Sequence, residues 1–531
     1  MRLYRAFATV GGLTMASRLL GLARDILIAA ALGTGAVADA FFVAFRFPNL
    51  FRRLFGEGAF NAAFVPLFAK KLEGDGAQAA RAFAAEAMAG LSAVVLLVTA
   101  VCMLAMPWLM LLLAPGFAGD PAKYDLAVLL TQITFPYLLC MCMTALISGI
   151  LNSMHQYWVA AAAPILLNIV LTVAVALAMV MGTAGQPTAG MILSVAVTLA
   201  GFAQLAWVWV ALRRAGMGIH WQRPGYSDDM KRLVGLGVPG LISGGITQIN
   251  IMIGTIIASL EAGAVSYLYY ADRLYQLPLG IVGVAVGVVL LPDIARRLRA
   301  GDEASVMDSQ NRSLEFALML TLPAAVALAV SATPIVGVLF ERGAFRASDT
   351  AATAMALAAF ALGLPAFVLQ KVFQPTFFAR EDTKTPMRYA LVNMAVNTIG
   401  SIVLFFAFQA AGWRPFLGIA VATTLAGWIN ALLLWGTLVK RGHYRGDARL
   451  ARVIPLVLAS CAVMGGVLWL AEHLLGAWLS PASPSWVRFA GLAALVGTGL
   501  AVYGVLIQLT GAIDFRKLGA YRRGSIAAPP Q

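Results

Sequence analysis

Charge is scarce in this chain. Only 12% of its 531 residues are Asp, Glu, Lys or Arg, and 61% are apolar. Soluble domains carry about 25% charged residues, so a soluble globular fold is excluded and a polytopic membrane protein is expected. Cysteine is rare too. Cys102, Cys140, Cys142 and Cys461 stand in apolar runs without metal-ligand spacing, which points to packing. His155, His220, His443 and His473 lie far apart, so no metal site is expected. There is no Walker loop, no paired-carboxylate loop and no outer loop long enough for an enzyme domain. Gly235-Leu-Gly237-Val-Pro-Gly240 has dinucleotide-fingerprint spacing, but it opens an apolar run with no strand before it, so packing explains it better. Arg18, Arg24 and Asp25 interrupt what would be a signal-peptide core, so an uncleaved first helix is expected.

What is present is apolar sequence in span-length blocks. A bilayer core takes about 20 residues of helix. On that rule fourteen spans are expected, centred near residues 20, 45, 98, 138, 170, 200, 248, 280, 325, 363, 400, 428, 462 and 498. The net charge of +14 is unevenly placed. One set of loops takes Lys70, Lys71, Arg81, Arg213, Arg214, Arg223, Lys231, Arg232, Arg296, Arg297, Arg299 and Arg312. Arg380, Lys384, Arg388, the basic run Lys440–Arg452 and both termini fall on the same side. The other side has only Lys123, Arg342, Arg346, Arg414 and Arg488. The positive-inside rule then places both termini in the cytoplasm and requires an even span count. Basicity reflects this topology; no nucleic-acid partner is expected.

The chain also repeats itself. Gly35-Ala-Val37 recurs as Gly263-Ala-Val265, each followed by paired aromatics. Pro66, Pro107, Gly116, Pro136 and Asn168 recur as Pro292, Pro334, Gly343, Pro365 and Asn397, with the offset held between 226 and 229. An offset of six spans keeps both halves in one orientation, as in a parallel repeat. The expected architecture is an all-α polytopic membrane protein. It has a six-helix lobe over 1–220, a second over 221–448, and two further helices with a tail over 449–531.

Arg18, Arg24, Arg46, Arg52, Arg53, Arg273 and Lys371 lie within or against the spans. An arginine at mid-membrane costs roughly 2.5–3.5 kcal/mol on insertion scales. Several together imply a polar cavity. On the first span Ser17, Arg18, Gly21, Arg24 and Asp25 form one stripe; on the second Asp39, Arg46, Asn49, Arg52 and Arg53 form another. The acids there are Asp25, Asp39, Glu57 and Asp272, so cations are in excess. Guanidinium forks donate two parallel hydrogen bonds to phosphate oxygens, which favours a diphosphate or a multiply charged head group. Arg24–Asp25, Arg53–Glu57 and Asp272–Arg273 also have the spacing of local ion pairs.

With those residues in view, the chain resembles the MurJ/MviN family of lipid II flippases, within the multidrug/oligosaccharidyl-lipid/polysaccharide exporter superfamily. The likeness runs through Ser17-Arg-Leu-Leu-Gly-Leu-Ala-Arg-Asp25, Ala38-Asp-Ala-Phe-Phe42, Arg46-Phe-Pro-Asn-Leu-Phe-Arg-Arg53, Gly56-Glu-Gly-Ala-Phe60 and Phe64-Val-Pro66. It continues in Ala114-Pro-Gly-Phe117, Gly149-Ile-Leu-Asn-Ser153, Tyr270-Ala-Asp-Arg-Leu274 and Asp382-Thr-Lys-Thr-Pro386. Gln276 and Ala160 depart from residues common among relatives. The resemblance implies two six-helix lobes around a cationic cavity, with two extra helices forming a groove for lipid. It implies transport of undecaprenyl-diphosphate-MurNAc-pentapeptide-GlcNAc from the cytoplasmic to the periplasmic leaflet of the inner membrane. The substrate residues it implies are Ser17, Arg18, Arg24, Asp25, Asp39, Asn49, Arg52, Arg53, Glu57, Ser266, Asp272 and Arg273. No enzymatic activity and no cofactor are expected, and a monovalent cation or the membrane potential is left to drive the cycle. The partners expected are lipid II, membrane lipids and the cell-wall synthesis machinery. Two alternatives within transport are export of another polyprenyl-diphosphate oligosaccharide and drug/cation antiport. The cationic balance opposes antiport. The alternative from another class, a membrane glycan polymerase, lacks an outer loop to carry a catalytic acid.

Overall fold

The computed structural model describes residues 2–52, 59–219 and 222–511; the side chains of 2–8, 52, 59–62, 239–247 and 281–289 are outside that description. Among the described residues there is no strand. Helix is the physical solution for such a sequence, because hydrocarbon offers no partner to a free backbone amide or carbonyl. Ten helical segments among the described residues are long and apolar enough to cross a membrane. The chain divides into two compact units, 1–270 with 342–349, and 271–341 with 350–531.

The first unit begins with α1 (Arg2–Leu32), α2 (Ala36–Arg52), α3 (Ala59–Gly74), α4 (Gly76–Leu104) and α5 (Met106–Leu113). A 3-10 turn, Pro115–Gly119, leads into α6 (Pro121–Thr134) and α7 (Tyr137–Ser153). Then come α8 (Tyr157–Val180), α9 (Pro187–Arg214), α10 (Asp228–Ala258) and the start of α11 (Ala264–Arg299). Helix α1 packs on α8, α8 on α9, and α2 on α6, while α10 lies along α3. The segment before α10 is strapped to α4: Glu86 accepts hydrogen bonds from the Ser227 amide (2.9 Å) and hydroxyl (2.7 Å), and Arg81 donates to the Gly216 carbonyl (2.7 Å).

The second unit holds the rest of α11, then α12 (Glu303–Val330), α13 (Ala332–Phe340), α14 (Ala347–Ala361) and α15 (Leu364–Ala379). It continues through α16 (Lys384–Ala410), α17 (Phe416–Lys440), α18 (Ala448–Leu474), the single turn α19 (Gly476–Leu479) and α20 (Ser485–Leu509). Helices α18 and α20 enclose a core of Val457, Cys461, Met464, Leu468, Leu495 and Tyr503 against Met319 of α12. The Tyr503 hydroxyl donates to the Met319 carbonyl at 2.7 Å, so its one polar atom is satisfied. Arg488 lies in a span and not in an outer loop as its sequence position suggested. It is buried and donates to the Gly337 and Glu341 carbonyls at 2.7 and 3.1 Å, capping the end of α13.

The repeat reappears as matching helix breaks. Pro136 and Pro365 sit where α6 gives way to α7 and α14 to α15; Pro107 and Pro334 each lie in the first turn of a short helix, α5 and α13. Proline has no amide hydrogen to continue a helix ladder, so each break falls where the ring removes a bond.

Candidate functional site

The polar stripe of α1 is covered by α8. Gly21 leaves room for Asn168, whose amide lies 3.7 Å from where a Cβ would stand. Asn168 donates to the Ser17 carbonyl at 2.8 Å and lies 3.4 Å from its hydroxyl. Its side-chain oxygen accepts from Arg24 Nη1 at 2.9 Å. The other edge of the guanidinium meets Asp25: Nε and Nη2 donate to Oδ1 at 3.0 and 2.7 Å. The Tyr269 hydroxyl approaches the same oxygen at 3.4 Å. Arg24 is 6% exposed and Asp25 1%, so this charged pair sits away from solvent. Arg18 is half-buried and makes no ion pair or hydrogen bond among the described residues.

On α2 the acid has a different environment. Asp39 is fully buried and accepts four hydrogen bonds, from Lys123 Nζ (2.7 Å), the Gly263 amide (2.9 Å), and the Ser266 amide (3.0 Å) and hydroxyl (2.6 Å). It therefore caps the N-terminus of α11 from another helix, where amides point outward unpaired and the helix dipole favours an anion. Lys123 is placed over the Phe117 ring, 4.0 Å from its centroid. The sequence put Lys123 in an outer loop; the structure buries it beside Asp39. Two turns along α2, Arg46 donates to the Thr255 hydroxyl at 2.9 Å and lies 5.6 Å over the Tyr269 ring, which stacks on Phe42. Asn49 bonds back to the Phe45 carbonyl at 2.7 Å.

In the second unit Asp272 accepts a hydrogen bond from Gln276, one turn further along α11. Arg273 is half-buried on the same helix, and Tyr275 between them stacks on Phe360 of α14. The side chain of Arg52, and Arg53 and Glu57 altogether, lie outside the described residues. The structure thus brings Ser17, Arg24 and Asp25 into one network and Asp39 and Ser266 into another. Sequence reasoning missed Asn168, Tyr269, Thr255 and Lys123 as their partners. The recurrence of Asn168 at Asn397 was the one available signal; nothing in the sequence sets Lys123 apart from a loop lysine.

Comparison with known proteins supplies the family. The family model "Lipid II flippase MurJ" matches residues 28–486. A protein of Rhizobium meliloti named probable lipid II flippase MurJ is 51% identical over 504 residues, covering 95% of this chain and 93% of the relative. One of Rhizobium tropici with the same name is 49% identical over 524 residues, covering 98% and 96%. A solved structure described as lipid II flippase MurJ in an inward closed conformation aligns with a TM-score of 0.76 at 25% identity, over 96% of this chain and 99% of that one. A match of this extent, on a helical protein with ten segments long and apolar enough to cross a membrane among its described residues, places the chain in the lipid II flippase MurJ family.

Proposed function

We propose that the protein moves lipid II from the cytoplasmic to the periplasmic leaflet of the inner membrane by alternating access, supplying precursor for the cell wall. The observation that carries this reading is the fate of the buried acids in the first unit. Asp25 is engaged by Arg24 and Asp39 by Lys123, while half-buried Arg18 has no ion-pair partner among the described residues. Positive charge at membrane depth is thereby held ready for an anion, and a diphosphate matches the guanidinium fork. Arg18, Arg24, Arg52 and Arg273 bind the diphosphate; Ser17, Asp25, Asn49, Arg53, Glu57 and Asp272 shape the cavity. Asp39 and Ser266 hold α2 to α11. The four expected spans beyond the ten apolar segments correspond to α1, α2, α10 and α11, of 31, 17, 31 and 36 residues, giving fourteen spans with both termini cytoplasmic. No bond of the substrate is made or broken, so the protein is a transporter and not an enzyme. The polyprenyl tail stays in lipid throughout, and the cell-wall synthesis machinery receives the product. The membrane potential or a monovalent cation drives the cycle.

The test is the leaflet distribution of lipid II in cells depleted of the native protein and supplied with a variant. Arg18→Ala, Arg24→Ala, Arg52→Ala and Arg273→Ala are each expected to leave lipid II inside, since losing one buried charged contact costs about 2–5 kcal/mol of binding. Lysine at these positions restores transport only in part, because it keeps charge without the fork. Complementation by all four alanine variants at normal expression refutes the assignment.

A further inference from the structure

Among the described residues, two glycines related by the repeat make the closest backbone approaches in the first unit, and they make them reciprocally. Gly116, in the turn after α5, packs on the end of α10; a Cβ there would lie 2.1 Å from the Ser259 carbonyl oxygen. Gly343, in the segment between α13 and α14, packs on the end of α1; a Cβ there would lie 2.3 Å from the Ala30 carbonyl oxygen. A turn from the first half of the sequence thus seats on the first helix of the second half, and the equivalent turn of the second half seats on α1. Each contact carries a hydrogen bond. The Gly116 amide donates to the Ser259 hydroxyl at 3.2 Å, and the Ala344 amide to the Ala30 carbonyl at 2.8 Å. Gly33, with φ of 64°, completes the second contact; a Cβ there would meet the Ala344 carbonyl oxygen at 2.6 Å. Phe117 and Phe345, one and two residues beyond the glycines, are both buried.

We propose that these two contacts are a paired latch that holds the outer end of the protein closed, and that the missing side chains at 116 and 343 set how completely it shuts. This rests on the transport reading above for its orientation and its two states. Close-packed interfaces do not deform smoothly, so an added methyl at a latch point favours the state in which the contact is parted. The ligand-facing residues are untouched by such a change, which separates the latch from the substrate site.

The experiment reads opening directly. In a chain with its four cysteines replaced, Val265→Cys gives a reporter at a position fully buried beside Asp39's partners. Its labelling by a membrane-impermeant maleimide is measured in intact cells. Gly116→Ala and Gly343→Ala are each expected to raise the labelling rate about tenfold, as strain in an overpacked contact shifts the two-state equilibrium. Gly35→Ala, where an added Cβ meets nothing within 4 Å, leaves it unchanged. Equal rates in the parent and both latch variants overturn the proposal. Should the alanine variants fail to accumulate, Ser259→Ala decides: it removes the acceptor for the Gly116 amide, together with the hydroxyl's own bond to the Ile256 carbonyl at 2.7 Å within the same helix end, and its rate must rise for the latch to stand. The readout needs no lipid II. A raised rate therefore supports the latch whether or not the chain flips lipid II, the substrate assignment being decided by the arginine variants alone, and an unchanged rate in a chain that does flip sinks the latch alone.

Discussion

At the scale of single residues, the pairing of Asp39 with Lys123 has the largest energetic consequence. Both side chains are buried, at 0% and 8% exposure, and each answers the other's charge. Removing one partner strands the other in a medium that penalises it; such losses cost about 3–5 kcal/mol. Lys123→Met is therefore expected to lower the unfolding temperature in detergent strongly, and Asp39→Asn added to it to recover much of the loss. Additive destabilisation by the two changes is the result that contradicts this. Sequence reasoning saw half of the pair. Asp39 was legible because it recurs with arginines on one helix stripe, but that placed it among cavity residues with no partner. Lys123 follows Asp120-Pro121, which signals a helix start, and Asp120 does accept the Lys123 amide at 3.1 Å. Nothing local reveals that the lysine folds back 84 positions to meet Asp39. The polar stripe of α1 was legible for the opposite reason: Ser17, Arg24 and Asp25 lie within two helical turns, and helical periodicity alone brings them to one face, although the Asn168 that links Ser17 to Arg24 comes from α8.

Elements repeat their ends as well as their breaks. His155 and Glu381 have φ of 62° and 61°, the two positive values outside glycine among the described residues, and they are 226 positions apart. Each closes the turn after a span, α7 in one half and α15 in the other, a left-handed cap more often given to glycine. The proline breaks were visible as matched residues, whereas these caps were not, because neither residue type announces a left-handed backbone. After the second cap, Asp382 starts α16. It accepts from the Thr385 amide (3.0 Å) and hydroxyl (2.6 Å), and Arg441, just past the end of α17, donates to it at 2.6 Å. The Thr385 hydroxyl above all, then Arg441, holds the carboxyl down at about 2. A carboxyl depressed on folding stabilises the fold above its unfolded value, ~3.9, and loses that contribution as pH falls through about 2. Asp382→Asn should therefore lower the unfolding temperature at neutral pH, and the gap from the parent should narrow between about pH 4 and pH 2. Melting curves across that range check it; a gap independent of pH means that the cap acts without its charge. The Asp382 side chain is 24% exposed and Arg441 more so, so screening keeps the effect modest.

At the scale of the whole molecule, a carrier with surplus positive charge has a problem of release. Cations that draw a diphosphate out of the cytoplasm hold it too tightly to let go unless something weakens the site or resets the empty protein. Asp39 with Lys123 and Ser266 is a neutral, fully satisfied contact, so it does not feel the field across the membrane. The arginines of α1, α2 and α11 do. One elementary charge moved across 100 mV is worth about 2.3 kcal/mol, enough to bias an empty, positively charged cavity back toward the negative cytoplasm. On the proposed cycle the loaded protein would carry the diphosphate's negative charge as well and be driven less, or in the opposite sense, so the potential would reset the empty carrier without opposing the loaded one. Dissipating it should lengthen the time the empty protein spends open to the outside. Labelling of Val265→Cys from outside is therefore expected to rise when valinomycin and potassium abolish the potential, and lipid II flipping to slow. A protonophore that removes the proton gradient while the potential is clamped should change neither. If labelling and flipping both ignore the potential, no net charge crosses the field in the limiting step, potential-driven cycling is wrong, and a cation's concentration gradient is the remaining drive. Replacing the sodium and potassium of the medium in turn would then show the slowing instead.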